Sequence, residues 1–209
     1  MPVDFQKDLA NNMMNVFNSL SFYSPLIILS SIFIFSMFTA TISKFGWYLL
    51  WFFTISCIRY FMYTASPTPD ASAICDTFIP LDYTYSTYVL TFTMTYFVMP
   101  MLLISKQNNI NAMNYGVLAL FISYIALDLF IKHTLQCIPT IFSSLVIGNF
   151  LGGLLCGVIA VMVMYGSTLK DYLYINEVNS NKEVCSMPSK QQFKCSVYKN
   201  GELVGSSMN

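Results

Sequence analysis

The chain has 209 residues, of which 56% are hydrophobic and only 10% charged, and its net charge is zero. Soluble domains carry about 25% charged residues, so too few polar side chains are present here to cover a water-soluble globule of this length. With no basic excess, nothing points to nucleic acid as a partner.

Residues 1–22 mix polar and apolar types. They lack the basic start, short apolar core and small-residue cleavage site of a signal peptide. An N-terminal segment is expected there, lying as an interfacial helix. Spanning the hydrocarbon core takes about 20 apolar residues per helix, and five stretches fit. The first is Tyr23 to Ile42, with Pro25 in its first turn, where a missing N–H costs little. Ser43, Lys44 and Phe45 form a tight turn. The second stretch, Gly46 to Tyr63, opens on Trp47, Tyr48 and Trp51. The third, Tyr85 to Ile104, is rich in Thr and Tyr and is kinked by Pro100. The fourth is Met113 to Ile131, and the fifth Ile141 to Tyr165. The predicted fold is therefore an all-α membrane protein, a bundle of about five transmembrane helices over 23–166.

Between the second and third stretches, Thr64 to Thr84 holds Pro67, Pro69 and Pro80 with Asp70, Asp76 and Asp82, and no Lys or Arg. It reads as a loop or a short re-entrant cap. After the fifth stretch comes a polar tail, 167–209. In it Gln192 to Tyr198 alternates in polarity and runs into Asn200-Gly201, a strong hairpin-turn signal. A small β-hairpin is expected, too small to be stable alone.

Five crossings put the termini on opposite sides. One side then collects Lys44, Lys106 and the tail lysines Lys170, Lys182, Lys190, Lys194 and Lys199. The other holds the acidic loop and the short segment with Lys132 and His133. Cytoplasmic loops are enriched in Lys and Arg, so the tail is expected on the cytoplasmic side.

Arg59 and Asp128 fall within predicted spans at matching depth. Charges in lipid are expensive and seek partners, so an ion pair joining the second and fourth spans is expected. Two alternatives are a proton or ion path and an Arg59 that snorkels alone to the interface. In the fifth stretch, Gly148/Gly152 and Gly153/Gly157 form two small-xxx-small patterns that let backbones approach, within the bundle or between copies. Asn149 between them should find a polar partner.

Cys57 and Cys156 lie within spans and read as small hydrophobes. Cys75 and Cys137 share the non-cytoplasmic face, where a disulfide would form in an oxidising compartment. Cys185 and Cys195 lie in the tail and are a second candidate pair. With one histidine, His133, and no Cys-x-x-Cys, no metal site is expected. No Gly-rich phosphate loop, His-Glu-x-x-His or Gly-x-Ser-x-Gly occurs, so no catalytic residues, cofactor or enzyme activity are predicted. The arrangement of a polar loop before an aromatic-rich helix loosely resembles membrane phosphatidic-acid phosphatases. The paired histidines and arginine motifs of that family are missing, which implies at most a degenerate relative.

The tail segment from Cys185-Ser-Met-Pro-Ser-Lys through Phe193-Lys-Cys195-Ser-Val-Tyr-Lys-Asn-Gly201 resembles the C-terminus of membrane proteins of large nucleocytoplasmic DNA viruses, such as those infecting algae. The resemblance covers about 25 residues. It implies a structural protein of the virion's internal membrane, meeting capsid or minor capsid proteins and able to form homo- or hetero-oligomers there. It also makes oxidised tail cysteines easier to understand, because such viruses often encode a sulfhydryl oxidase. A small ion or solute transporter is the competing reading, built on Arg59, Asp128 and the Thr-rich third span.

Overall fold

The computed structural model describes residues 15–65, 83–108, 113–138 and 140–175, together with the strands 194–199 and 202–208 as backbone. The described helices are α1 (Asn15–Phe22), α2 (Ser24–Phe38), α3 (Ile42–Ala65), α4 (Tyr85–Asn108), α5 (Tyr115–Thr134) and α6 (Ser144–Tyr165). Strand β1 (Lys194–Lys199) pairs antiparallel with β2 (Glu202–Met208), Lys199 opposite Glu202, with a register shift between Val197 and Tyr198. The proposed turn residues Asn200 and Gly201 lie outside the described residues, as do Cys75, Cys185 and the acidic residues of the 66–82 segment.

Among the described residues, three helices are long and apolar enough to cross a membrane: α4, α5 and α6. The count becomes four if α1 and α2 form one broken span. The five expected stretches therefore do not all reappear as uninterrupted apolar helices, and two local causes account for it. The first stretch is broken at its start, where α1 and α2 meet at 74°. Pro25 has no N–H for Ser21 O, and its ring would clash with that carbonyl in a continuous helix. This leaves α2 with 15 residues, about 22 Å at 1.5 Å per residue, against a hydrocarbon core of about 30 Å. The second stretch becomes α3, which has 24 residues but carries Lys44, Arg59, two tryptophans and several tyrosines that dilute its apolar content.

The turn expected at Ser43–Phe45 sits earlier, and those residues belong to α3. Ala40 has φ 53°, Thr41 N–H reaches Ser36 O at 2.8 Å and Ala40 N–H reaches Met37 O at 3.3 Å. This is a Schellman ending with alanine where glycine is usual. The end of α5 repeats it: Gln136 has φ 59°, and Cys137 N–H bonds Lys132 O at 2.9 Å. The starts of α5 and α6 are capped by side chains, Asn114 Oδ1 accepting from Gly116 and Val117 N–H and Ser143 Oγ from Val146 N–H.

Helix α4 is the central element. Its apolar window is 72% buried, against 28% for α5 and 33% for α6. It presses closest on α6, where a β-carbon on Gly153 would collide with Tyr88 O and approach Thr91 Oγ1 to 2.6 Å. One on Gly157 would lie 2.6 Å from Thr95 Cβ. Around this seam lies an aromatic core in which Tyr48 meets Tyr96 edge-on at 5.3 Å and stands near Phe92 and Phe97. The predicted polar tail begins later than residue 167. Leu173 and Tyr174 turn back into the core, with the Tyr174 ring 5.1 Å from Phe97 and its hydroxyl 2.5 Å from Ser36 Oγ.

Candidate functional site: a buried ionic and hydroxyl layer

The polar side chains of the bundle gather mainly at one level. That level is set by the end of α1, the start of α4, the last turns of α3 and α5, and the first turns of α6. Asp128 of α5 is at its centre and fully buried. Its cationic partner is Lys132, also fully buried, one turn further along the same helix, with Nζ 2.8 Å from Oδ2. Three hydroxyls converge on the same carboxylate. Ser21 Oγ donates to Oδ1 at 2.6 Å, Ser86 Oγ lies 2.9 Å from both oxygens, and Thr87 Oγ1 donates to Oδ2 at 2.9 Å. Lys132 Nζ also donates to Ser86 Oγ. A carboxylate out of water needs its lone pairs filled and its charge opposed; here α1 and α4 supply the hydroxyls and α5 supplies the opposing charge. Tyr124 OH donates to Leu20 O at 2.9 Å and adds a further tie between α5 and α1.

The expected Arg59–Asp128 ion pair is thus corrected. Arg59 Nε donates instead to Asn149 Oδ1 at 2.7 Å, and Asn149 Nδ2 donates to Thr84 Oγ1 at 2.7 Å and Leu145 O at 2.9 Å. This second cluster joins α3 and α6 to the residue preceding α4. The reason is local: a lysine four residues from Asp128 on the same helix is already in reach, whereas Arg59 must cross to a neighbour. Lys132, placed from the sequence in the short segment between the fourth and fifth spans, is the residue that reading missed, together with Ser21, Thr84, Ser86 and Thr87. The i, i+4 spacing of Asp128 and Lys132 was the available signal. The expected polar partner of Asn149 is present.

The threonines of α4 do not line a polar path. Thr91, Thr93 and Thr95 donate to the carbonyls of Thr87, Val89 and Thr91 within the helix, which leaves their methyl groups for packing. Of the four glycines, Gly153 and Gly157 form the seam with α4, and a β-carbon on Gly152 would lie 3.3 Å from the Tyr88 ring. A β-carbon on Gly148 would meet nothing within 4 Å among the described residues, so Gly148 takes no part in the seam with α4. Cys57 and Cys156 are free, Cys156 Sγ lying 3.2 Å from Tyr88 OH. Cys137 is disulfide-bonded, and its partner is outside the described side chains. The side chain of Cys195 on β1 is likewise outside them.

At the other end of the bundle, Lys44 Nζ donates to Leu173 O at 3.0 Å and Tyr165 OH to Gln107 Oε1 at 2.5 Å. These bonds fasten the returning chain and the end of α4. Among the described residues no three His, Cys, Asp or Glu side chains gather as a metal site would require. No protein family, curated protein or solved structure matches the chain.

Proposed function

We propose that this chain is a non-catalytic membrane protein that anchors an internal virion membrane to the surrounding capsid shell through its loops and tail. The sealed state of the polar layer supports the non-catalytic part. A catalytic or transporting group must meet a substrate or an ion, yet Asp128 and Lys132 are fully buried and meet the side chains that clamp α1, α4 and α5. The capsid part rests on the tail resemblance, and capsid or minor capsid proteins are the partners it names.

In this reading α2 to α6 make five crossings. The short α2 is accommodated by local thinning of the bilayer, and α1 lies across it near the surface. Burial of Lys132 strengthens the orientation argument. Removing that internally paired charge from the acidic side leaves Lys44, Lys106, Lys170 and the tail lysines facing little opposition from the other surface. The tail is then cytoplasmic.

Cross-linking mass spectrometry on virions stripped of host membrane tests the proposal. The expected result is cross-links from Lys182, Lys190, Lys194 or Lys199 to a capsid protein. Absence of the chain from such virions overturns it. So does ion flux in proteoliposomes that Asp128→Asn abolishes, which would favour transport.

A further inference from the structure

Beside the layer, α1 and the last two turns of α5 enclose an apolar groove of about 200 Å³. Its walls are Phe17, Leu127, Phe130, Ile131 and Leu135, and Asn18 joins them from α1. Asn18 Oδ1 is buried and, among the described residues, has no hydrogen-bond partner. The hydroxyl of Thr134, also on the wall, is taken by Phe130 O at 2.9 Å. An unpaired buried acceptor is costly, and the carboxamide torsion of asparagine is broad and soft, so a small rotation would bring Oδ1 to a donor in the groove. Elsewhere along α1 and α5 polar groups have found partners, as Ser21, Tyr124 and Asp128 show. The groove lies where α5 ends and α1 turns 74° away from α2, which in the five-crossing reading is the depth at which acyl chains give way to headgroups.

We infer that this groove binds a phospholipid, its acyl chain against the apolar walls and a hydrogen-bond-donating headgroup of the ethanolamine type on Asn18. A choline headgroup has neither N–H nor O–H and cannot satisfy that acceptor. The inference rests on the chain residing in a bilayer and is independent of any contact with a capsid.

The full chain would be reconstituted in phosphatidylcholine nanodiscs with trace phosphatidylethanolamine or phosphatidylcholine, each carrying a photoactivatable diazirine in its acyl chain. Labelled peptides are then read by mass spectrometry. The ethanolamine probe is expected to label the Leu127–Leu135 segment about threefold or more over the choline probe, as one net hydrogen bond would give. Asn18→Leu should equalise the probes, and Ile131→Trp should remove labelling by both. Melting curves establish that each variant is folded. If Ile131→Trp does not fold, the Asn18→Leu comparison decides. Equal labelling by the two probes in the unaltered chain overturns the inference, because it signifies annular lipid only. A preference that survives Asn18→Leu overturns it too, as does a cross-link showing residues 1–14 seated in the groove.

Discussion

Removing one member of a buried ion pair strands the other charge out of water, at a cost of about 3–5 kcal/mol. Asp128→Asn does this to Lys132, which keeps Ser86 Oγ as an acceptor but loses its counter-ion. Lys132→Met strands Asp128 instead, yet leaves it the hydroxyls of Ser21, Ser86 and Thr87. The aspartate substitution should therefore be the more damaging single change. The double substitution should recover more than half of its loss, since no uncompensated charge remains. Unfolding of the purified protein in mixed micelles measures all three, and simple additivity of the two losses would contradict the clasp described here. Arg59 acts separately, through Asn149. Arg59→Leu combined with Asp128→Asn should give losses that add, as expected for sites that share no partner among the described residues.

The helices depend on a few positions where backbone meets backbone or changes hand. Gly157→Val and Gly153→Val would each force α6 away from α4 and should destabilise by about 1–3 kcal/mol or more, as overpacking does. Gly148→Val, with open space around it, should stay within about 0.5 kcal/mol, as surface changes do. Equal effects at the three sites would rule out the seam. The left-handed residues Ala40 and Gln136 give the opposite sign. Non-glycine residues hold that conformation at a cost of about 1–2 kcal/mol, part of which glycine returns as chain entropy when unfolded. Ala40→Gly and Gln136→Gly should raise stability by about 0.5–1 kcal/mol each, measured by the same unfolding curves. The shared absence of glycine also explains why the α2–α3 turn was expected a few residues too late. The punctuating residue type was missing, and Ser43-Lys44 was the nearest polar pair.

Across the bundle the two ends differ in kind. One end is closed by the carboxylate, hydroxyl and guanidinium layer, and the other is tied by Lys44 to Leu173 O and by Tyr174 to Ser36. Folding Leu173 and Tyr174 back into the core brings those two residues against Lys44 and Ser36, on either side of the α2–α3 turn. In native-like vesicles, cysteines introduced at Gln107 and Lys170 should react with an impermeant maleimide from the cytoplasmic side. One at His133, which is exposed, should react only from the opposite side. Labelling of all three from one side would remove the five-crossing topology. Replacing Tyr174 by Ala should destabilise the chain by about 3–5 kcal/mol, the range for emptying a buried aromatic site, although the residue lies beyond the last apolar stretch.

Much of the architecture could be read from composition. Low charge and long apolar runs give helices apolar enough to cross a membrane, because hydropathy depends on residue type and not on neighbours. The start of α4 and the end of α6, the glycine seam and a polar partner for Asn149 were legible for similar reasons: helix propensity and small-residue spacing are local. The pairing of charges was not. Arg59, Asp128 and Lys132 offered more than one combination, and the choice among them depended on where Ser21, Thr84, Ser86 and Thr87 arrived. Those hydroxyls are unremarkable in a linear chain. They acquire significance once α1, α3, α4, α5 and α6 meet at one level, where a carboxylate without water must be satisfied by whatever the fold delivers.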